Sequence, residues 1–322
     1  MVAVDIYFDE NYGKLYEAAE LGKQEIFEFS CQYGAVRHQF IKRPIDERYY
    51  DLITPYGYGG PVIVSTTNKE KLVAAFEEAF CRYCADNRIV SEFVRFHPII
   101  NNGPDFATVY KSERIRHTVG TNLKDYPDPV AEEFSKSCRK NIRQAMNKGV
   151  TFRITEEPDS LDSFIKVYYD TMDRNAASEY YYFDHTYFDS CLRLFKKNIV
   201  LVEAFFDDQI IAAGLYFVYN GIVHIHLSGT YSQYLHLSPA YILRYAVTLW
   251  AKEHNCTLVH HGGGRSNSED DPLYKFKKQF GKNTQFDFYV GKKVWDQEAY
   301  DRLCSDNNVS PDITFFPTYR SK

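Results

Sequence analysis

The pattern of apolar and polar residues divides the chain into two series of similar elements. In the first series, residues 2–8 are predicted as a strand and residues 11–21 as a short helix, after which EIFEFSC and VRHQFIK alternate like paired strands. Apolar residues at helical spacing predict a helix over residues 68–87. A buried strand, VSEFVRFHPII, and an alternating strand region, ATVYKSERIRHTVG, complete this series.

A long helix over about residues 130–148 is predicted to lead into the second series, which begins near Thr151. Two further helices, at residues 159–173 and 184–197, precede the apolar runs IVLVEAFF, IIAAGLYFVY and IVHIHLSGT. Asp-Asp and Asn-Gly pairs separate these runs. Because such pairs favour tight hairpins, the three runs are predicted to form an antiparallel meander.

The order of elements repeats between the two series. In the second series a Ser-Pro pair at residues 238–239 predicts the start of a helix, because Ser favours the N-cap and Pro the first helical position, and the strand CTLVHHGGG follows. Each series thus has paired strands, a loop ending in Pro61 or Pro239, a helix and a strand. Helices flanking mixed, mostly antiparallel sheets, duplicated once, predict an α+β protein with two similar domains, which we place at residues 1–150 and 151–322.

Composition and charge are those of an ordinary globular protein. The 322 residues are 44% hydrophobic and 25% charged, with 38 basic and 43 acidic side chains and a net charge of −5. This balance excludes a protein that coats nucleic acid through its overall charge, but it permits a local basic surface. The longest apolar run, residues 210–219, is about half of the ~20 residues that a membrane span needs, and residues 1–10 lack a signal-peptide pattern. We therefore expect a cytoplasmic protein without a membrane span.

Cysteine and histidine residues form no recognisable metal-binding or disulfide pattern. The seven scattered cysteines fit reduced thiols, and Cys81 and Cys84 fall within a helical pattern with no second pair at zinc-ligand spacing. The histidines of IVHIHLSGT and CTLVHHGGG have no carboxylate at a recognised spacing, so we interpret them as hydrogen-bonded sheet residues. We predict no metal ion.

A loop rich in glycine and proline, TPYGYGGP at residues 54–61, stands between a predicted strand and a predicted helix. Glycines let a backbone approach a ligand closely, whereas prolines stiffen the remainder. Two interpretations remain open: a tight connection whose tyrosines cover a core, and a loop that cradles substrate.

Four basic residues share one face of the helix predicted over FSKSCRKNIRQAMNK. They lie at i, i+3, i+4 and i+7, and they are Lys136, Arg139, Lys140 and Arg143. Such a face is either solvated or binds phosphates, and the sequence does not separate RNA from a nucleotide as its partner.

A third candidate is the glycine run at residues 262–264 and the short amphipathic helix LYKFKKQFG that follows. Glycines at the carboxyl end of a strand permit a sharp turn away from the sheet. The helix carries Lys275, Lys277 and Lys278 above apolar residues, and these lysines either solvate it or supply a cation to a reaction centre.

Five strings in a fixed order resemble the Fem family of peptidoglycan-bridge aminoacyltransferases and related GNAT-like acyltransferases. They are TPYGYGGP, CRKNIRQAMNKGV, TMDRNAASEYYYF, LSGTYSQYLHLSP and HHGGGRSNSEDDPLYKFKKQFG, and the resemblance runs from about residue 24 to residue 282. It implies two tandem GNAT-like domains and the transfer of an amino acid from aminoacyl-tRNA, used as a co-substrate, to an amine. The implied acceptor is a nucleotide-linked cell-wall precursor such as UDP-MurNAc-pentapeptide. No further cofactor and no DNA partner are implied.

The resemblance also implies roles for individual residues. Phe276-Lys277 matches the position of the family's oxyanion-stabilising lysine, and Thr171-Met172-Asp173-Arg174 matches the stretch whose arginine binds the precursor's phosphates. The implied substrate-binding residues are Tyr56, Gly57, Tyr58, Gly59, Gly60, Arg174 and Tyr231, and the implied carrier phosphate-binding residues are Arg139, Lys140, Arg143, Lys275 and Lys278.

Two other functions remain open. The family's amino-terminal W-x-x-(V/F)-K motif is absent, with Tyr12-Gly13-Lys14 as a weak echo, which leaves the acceptor open. One alternative is an acyl-CoA-dependent N-acyltransferase acting on a sugar amine or a small amine, although the turn YSQYLHLSPAY lacks the glycines with which GNAT proteins cradle pyrophosphate. The other is a ligand-binding relative that keeps the fold without catalysis.

Overall fold

The computed structural model describes residues 4–307 and 314–321. It contains two compact units. The first comprises Tyr7–Ile115 and Asp287–Lys322, and the second comprises Val4–Ile6 and Arg116–Phe286. Each unit is therefore formed by segments that are not contiguous in the sequence.

The described residues form nine α-helices and twelve strands. The helices are α1 (Glu10–Lys14), α2 (Lys69–Asp86), α3 (Pro129–Glu133), α4 (Lys136–Asn147), α5 (Asp162–Arg174), α6 (His185–Phe195), α7 (Pro239–Glu253), α8 (Pro272–Lys278) and α9 (Gln297–Asp306). The strands are β1 (Lys23–Cys31), β2 (Gly34–Pro44), β3 (Tyr50–Ile53), β4 (Val62–Thr66), β5 (Ile89–Arg95), β6 (Glu113–Asn122), β7 (Thr151–Glu156), β8 (Ile199–Phe206), β9 (Gln209–Tyr219), β10 (Ile222–Thr230), β11 (Leu258–Gly262) and β12 (Gln285–Val294). Among the helices so described, none combines the length and the apolar character needed to cross a bilayer.

The first unit is built on a sheet in the order β1-β2-β3-β5-β12, with β4 also paired to β2. The predicted pairing of EIFEFSC with VRHQFIK is confirmed, because β1 and β2 are antiparallel and Phe27 faces His38. The predicted helix is confirmed as α2, which begins after Asn68, whose side chain accepts a hydrogen bond from Lys71 N at 3.1 Å. Its apolar face, including the buried Phe76 and Phe80, packs on the aromatic core of this unit.

A buried carboxylate lies in the core of the first unit. Glu92 on β5 is 1% exposed, as is His38, and its Oε1 lies 2.5 Å from the His38 Nε2. Its other oxygen accepts hydrogen bonds from the Tyr110 hydroxyl at 3.0 Å and from the Trp295 indole at 3.2 Å. Both carboxyl oxygens therefore have partners, as buried polar atoms require.

The second unit has a sheet in the order β6-β11-β10-β9-β8-β7. The predicted meander is confirmed, because β8, β9 and β10 pair antiparallel in sequence order. The β9–β10 connection is the predicted Asn-Gly turn, with positive φ at Asn220 and Gly221. Helix α7 buries Ile242, Leu243 and Ala246 against this sheet.

Two predicted elements differ from the structure. The long helix expected over residues 130–148 is two helices, α3 and α4, because Phe134 is extended and the Ser135 hydroxyl accepts a hydrogen bond from Cys138 N at 3.0 Å. An N-cap serine thus starts a new helix at Lys136. Within the strand predicted over residues 2–8, the described part contains a short 3-10 helix, Ile6–Phe8.

The boundaries of the compact units also differ from the division at residue 150. Helix α4 belongs to the second unit because its buried face, including Ile142, joins the core around α7. Strand β12 belongs mainly to the first unit because Val290 and its neighbours pair with β5 opposite Arg95. At both places, contacts with distant residues decide which unit an element belongs to, and its position along the chain does not.

Candidate active site

The candidate site in the second unit begins where two parallel strands stop pairing. β10 and β11 are paired only from Ile222 opposite Leu258 to His224 opposite His260. Beyond this point each strand has a register shift and follows its other neighbour, β9 or β6. Because bulges bend strands and re-aim their side chains, the carboxyl ends of β10 and β11 separate and leave an opening in the sheet.

The glycine run after β11 positions helix α8. A side chain at residue 264 would lie 2.6 Å from the Asp271 carboxylate, so Gly264 lets that group approach the loop. Asp271 caps α8 by accepting a hydrogen bond from Tyr274 N at 2.9 Å, and it also accepts one from Ser266 N at 2.8 Å. Burial alone would raise the pKa of Asp271, but these hydrogen bonds lower it to about 2.

Lys277 points from α8 toward the glycine run. Its Nζ donates a hydrogen bond to Gly263 O at 2.7 Å, and the residue is half-buried. No carboxylate of the described residues forms an ion pair with it. Burial of the ammonium and the nearby charge of Arg244 lower the pKa of Lys277 from 10.5 to about 7. At neutral pH this amine therefore exists in both protonation states.

Arg244 on α7 is a buried cation beside this lysine. Its side chain is enclosed, the residue being 3% exposed, and its guanidinium lies over the rings of Phe276 at 4.7 Å and Phe280 at 5.4 Å. One hydrogen bond, to Ala240 O at 3.4 Å, holds Nη1, and Nε has no partner among the described residues. An arginine buried to this extent without a carboxylate is unusual.

Two further buried polar groups face the same region. His261 on β11 hydrogen-bonds the Thr121 hydroxyl through Nε2 at 2.8 Å, whereas its Nδ1 has no partner within the described chain. Burial, with the charges of Arg244 and Lys277, lowers the pKa of His261, so the ring is neutral at pH 7. The Tyr216 hydroxyl on β9 is likewise buried without a described partner, and burial raises its pKa.

Removing the Lys277 amine is expected to stabilise the protein in a pH-dependent way. Because the folded state lowers the pKa of Lys277, the unfolded chain binds more protons between about pH 7 and pH 10.5, and the stability due to this lysine falls as pH decreases through that range. Lys277→Met should therefore raise the free energy of unfolding relative to the native protein at pH 6.5, and the difference should shrink toward pH 10. Urea unfolding of both proteins at the two pH values measures this, and an equal difference at both would contradict it.

The predicted basic face lies on α4, with Lys140 and Arg143 exposed. An open pocket of about 360 Å³ adjoins it and is lined by Arg139, Arg143 and Tyr245, together with apolar residues. The Arg139 guanidinium donates to the Phe134 and Ala131 carbonyls and so also closes the end of α3. Lys140 and Arg143 form no ion pair with any described residue, as expected of a face that is solvated or binds anions.

Arg174 ends α5 beside the carboxyl end of β10. Its Nη1 donates to Thr230 O at 2.6 Å and to the Ser232 hydroxyl at 3.2 Å, and it lies 3.6 Å from Asp170. Tyr231, between these partners, is half-buried. Arg174 and Lys277 thus contact backbone at the ends of the two strands that separate, at Thr230, the last residue of β10, and at Gly263, which follows β11.

The other two lysines of α8 differ from Lys277. Lys275 is exposed and pairs with Asp270 at 2.7 Å. Lys278 is half-buried, and burial lowers its pKa while Glu133 opposes this effect. The remaining histidines of β10 and β11 have protein partners: His224 with Asp5, His226 with Tyr187, and His260 with Thr118.

The TPYGYGGP loop lies in the first unit. Asn102 fixes it by donating hydrogen bonds to Gly59 O at 2.9 Å and Pro61 O at 2.8 Å. A side chain at residue 57, where φ is +96°, would lie 2.4 Å from the Tyr7 ring, so glycine is required there for packing. Tyr56 stacks on Tyr16 with ring centroids 5.7 Å apart, and Tyr58 meets Tyr7 edge to face with ring centroids 5.3 Å apart. The contacts described for this loop are those of a tight connection, and its role in substrate binding stays a prediction.

Arg244, His261 and Tyr216 were not identified from the sequence as site residues. The signal for Arg244 is an arginine within the apolar face of α7, between Leu243 and Ala246. No comparable signal marks Tyr216, because an aromatic residue in an apolar strand is ordinarily core.

Comparisons with known proteins bear on the fold and the class of protein. Residues 133–278 match the family model for the acetyltransferase (GNAT) domain. A UDP-N-acetylmuramoylpentapeptide-lysine N(6)-alanyltransferase from Weissella viridescens is 25% identical over 194 residues, which cover 58% of this chain and 55% of that protein. The chain therefore matches about half the length of this relative.

Two solved structures share the fold. The crystal structure of FemX has a TM-score of 0.68 at 12% identity and covers 91% of this chain and 92% of its own. A tandem GNAT protein from the clavulanic acid biosynthesis pathway has a TM-score of 0.50 at 11% identity and covers 84% of this chain and 83% of its own. The predicted α+β, tandem GNAT-like fold is confirmed. The comparisons support an acyltransferase and confirm that the chain resembles the Fem-type aminoacyltransferases and their GNAT-like relatives.

Proposed function

We propose that this protein is an aminoacyltransferase that moves an amino acid from aminoacyl-tRNA to an amine, with a nucleotide-linked peptidoglycan precursor as the acceptor class. The observation that carries the proposal is Lys277, a desolvated lysine hydrogen-bonded to Gly263 O where β10 and β11 separate. The relative that is an alanyltransferase acting on a UDP-muramoylpentapeptide supports the acceptor class. Charged tRNA is present in the cytoplasm, where we place the reaction.

The proposed chemistry needs no covalent enzyme intermediate. A neutral amine attacks the ester carbonyl, and the Lys277 ammonium stabilises the oxygen that becomes negative. A donor of this kind contributes about 3–4 kcal/mol in known oxyanion sites. Because the ester is already activated, positioning of the two reactants supplies much of the remaining rate enhancement. Arg174 is proposed to bind phosphates of the acceptor beside Tyr231, a contact suited to a planar guanidinium.

The exposed basic face of α4 is proposed to bind carrier phosphates. Lys140→Gln/Arg143→Gln should weaken tRNA binding and reduce the slope of log Kd against log salt by about one to two units, because each phosphate contact releases counterions. Filter binding across a salt series measures this slope. The control is Lys166→Gln/Lys197→Gln, which removes the same charge from exposed residues of the same unit and should leave the slope unchanged. Equal slopes in the two double variants would contradict the assignment.

The start of α7 favours tRNA over acyl-CoA as the donor. GNAT proteins that use CoA hold its pyrophosphate on free N–H groups at this helix start. Here Pro239 has no N–H, and Tyr241 N donates to Ser238 O at 3.1 Å. Ser238 itself has a φ of 54° and its side chain does not cap the helix, contrary to the predicted serine cap. The backbone therefore offers few donors to a pyrophosphate.

One experiment separates the donors. The purified protein is offered a mixture of charged tRNAs and acyl-CoAs together with candidate amine acceptors, including UDP-MurNAc-pentapeptide, and the products are analysed by mass spectrometry. We expect the acceptor to gain the mass of an amino-acid residue, and ribonuclease treatment to abolish the gain. An acyl gain that survives ribonuclease would instead identify a CoA-dependent N-acyltransferase, and a mixture without products would favour a non-catalytic relative.

A further inference from the structure

We infer that Arg244 is a positioning residue that keeps the Lys277 amine available as a proton acceptor, so that Lys277 both removes a proton from the acceptor amine and then stabilises the oxyanion. The inference rests on the proposed function, which assigns Lys277 to the reaction centre, and extends it to the route of the proton. It identifies a role for a buried arginine that the transfer reaction otherwise leaves unused.

Neither an ion pair nor a strong hydrogen bond explains why Arg244 is buried. The residue is 3% exposed, the only hydrogen bond described for its side chain is to Ala240 O at 3.4 Å, and its charge is not matched by a carboxylate among the described residues. Instead, its guanidinium lies over Phe276, which precedes Lys277 in α8, and over Phe280, which lies just after the end of that helix. A buried guanidinium costs free energy unless something compensates for it, so its presence here calls for a functional explanation.

The charged groups around Lys277 are predominantly positive. Arg244 approaches from α7, Arg116 from β6 and Arg265 from the loop after β11, and all three disfavour the ammonium form of Lys277. His261 from β11 is neutral at pH 7. Asp271 is the acidic group that favours the ammonium, and its carboxylate is already committed to the hydrogen bonds that cap α8 and fix the loop. Of the three arginines, Arg244 has the largest effect and is the one within the core.

The proton route balances without another reactant. The acceptor nitrogen forms a bond to the ester carbon, and the carbonyl electron pair moves to oxygen. The new C–N bond leaves an extra proton on nitrogen, which the Lys277 lone pair accepts, so a cation forms beside the oxyanion. The oxygen pair then re-forms the carbonyl, the ester C–O bond breaks, and Lys277 returns the proton to the departing hydroxyl of the carrier. The amine is then neutral again.

The first test titrates Lys277 directly and needs no substrate. Lysines of the full chain are reductively methylated with 13C-formaldehyde, and the Lys277 signal is identified by its loss in Lys277→Arg. In the native protein its titration midpoint should lie near pH 7. Arg244→Met should shift the midpoint upward by about 1–2 pH units, because a neighbouring like charge is removed. The matched control, Arg265→Met, removes an exposed arginine and should shift it much less.

The second test follows the pH dependence of transfer. If Lys277 accepts the proton, the ascending limb of log kcat/KM against pH should move upward in Arg244→Met by the same amount as the titration midpoint. Replacing an unpaired buried charge by an apolar side chain is compatible with folding, and Arg244→Gln provides a second uncharged variant. An unchanged midpoint in both folded variants would overturn the role of Arg244, whether or not a substrate has been found. A limb that stays fixed while the midpoint moves would overturn proton transfer by Lys277 and leave the proposed function intact.

Discussion

Lys277→Met is expected to lower kcat for amino-acid transfer by about 10²- to 10³-fold while the protein remains folded. Loss of one oxyanion-stabilising donor has an effect of this size in a desolvated site, where a charge acts more strongly than in water. Lys277 occupies such a site, since its pKa is lowered to about 7 and its Nζ contacts Gly263 O. Single-turnover measurements with charged tRNA isolate the chemical step.

The neighbouring lysine provides the control for this prediction. Lys275→Met makes the same change on the same helix at an exposed residue that pairs with Asp270, and it should change kcat by much less. Lys277→Arg keeps the positive charge but does not accept a proton at neutral pH. It should therefore remain impaired if Lys277 transfers a proton. Unchanged kcat in folded Lys277→Met would refute the assignment of this lysine to the reaction centre.

Glu92→Leu is expected to cost about 3–5 kcal/mol of folding free energy, because removing one member of a buried polar network leaves its partners unsatisfied. The substitution leaves His38, the Tyr110 hydroxyl and the Trp295 indole without their acceptor in the core of the first unit. Each unsatisfied donor then carries a desolvation cost that the native carboxylate offsets. Urea unfolding monitored by circular dichroism measures the loss.

Two controls test whether the loss of stability in Glu92→Leu comes from its buried contacts: a variant of a surface glutamate and a double variant. Glu78→Gln removes an exposed carboxylate that pairs with Arg82 and should change the free energy of unfolding by about 0.5 kcal/mol or less. His38→Leu/Glu92→Leu removes both members of the buried pair and should be less destabilised than the two single variants added together. Additive losses would show that Glu92 matters through packing rather than through its contact with His38.

Local signals account for the parts of the fold that the sequence predicted correctly. The Asn-Gly turn between β9 and β10 and the Asn68 cap of α2 act over a few residues, and their chemistry is readable without knowledge of distant partners. The break at Ser135 was equally readable, because serine is a strong N-cap, but the apolar periodicity on both sides of it favoured one continuous helix.

The unpredicted parts depend on contacts between distant residues. The pairing of Val290 with Arg95 joins β12 to β5 and moves the end of the chain into the first unit, which no local pattern encodes. Glu92 was recognised as part of a buried strand, but its partner His38 lies 54 residues away. Arg244 became informative only when the structure placed it beside Lys277 without a carboxylate.

The order in which the chain is synthesised leaves β5 without one of its two neighbouring strands for most of translation. On the ribosome β5 emerges long before β12. The edge of β5 that pairs with β12 therefore remains unpaired while residues Arg116–Phe286 are synthesised. Such an edge invites pairing with strands of other nascent chains. The carboxylate of Glu92 in the middle of this strand makes an intermolecular sheet costly, because a foreign strand does not bring Trp295, which follows β12 and donates a hydrogen bond to that carboxylate. We therefore expect the same residue that completes the finished core to disfavour aggregation of the unfinished chain.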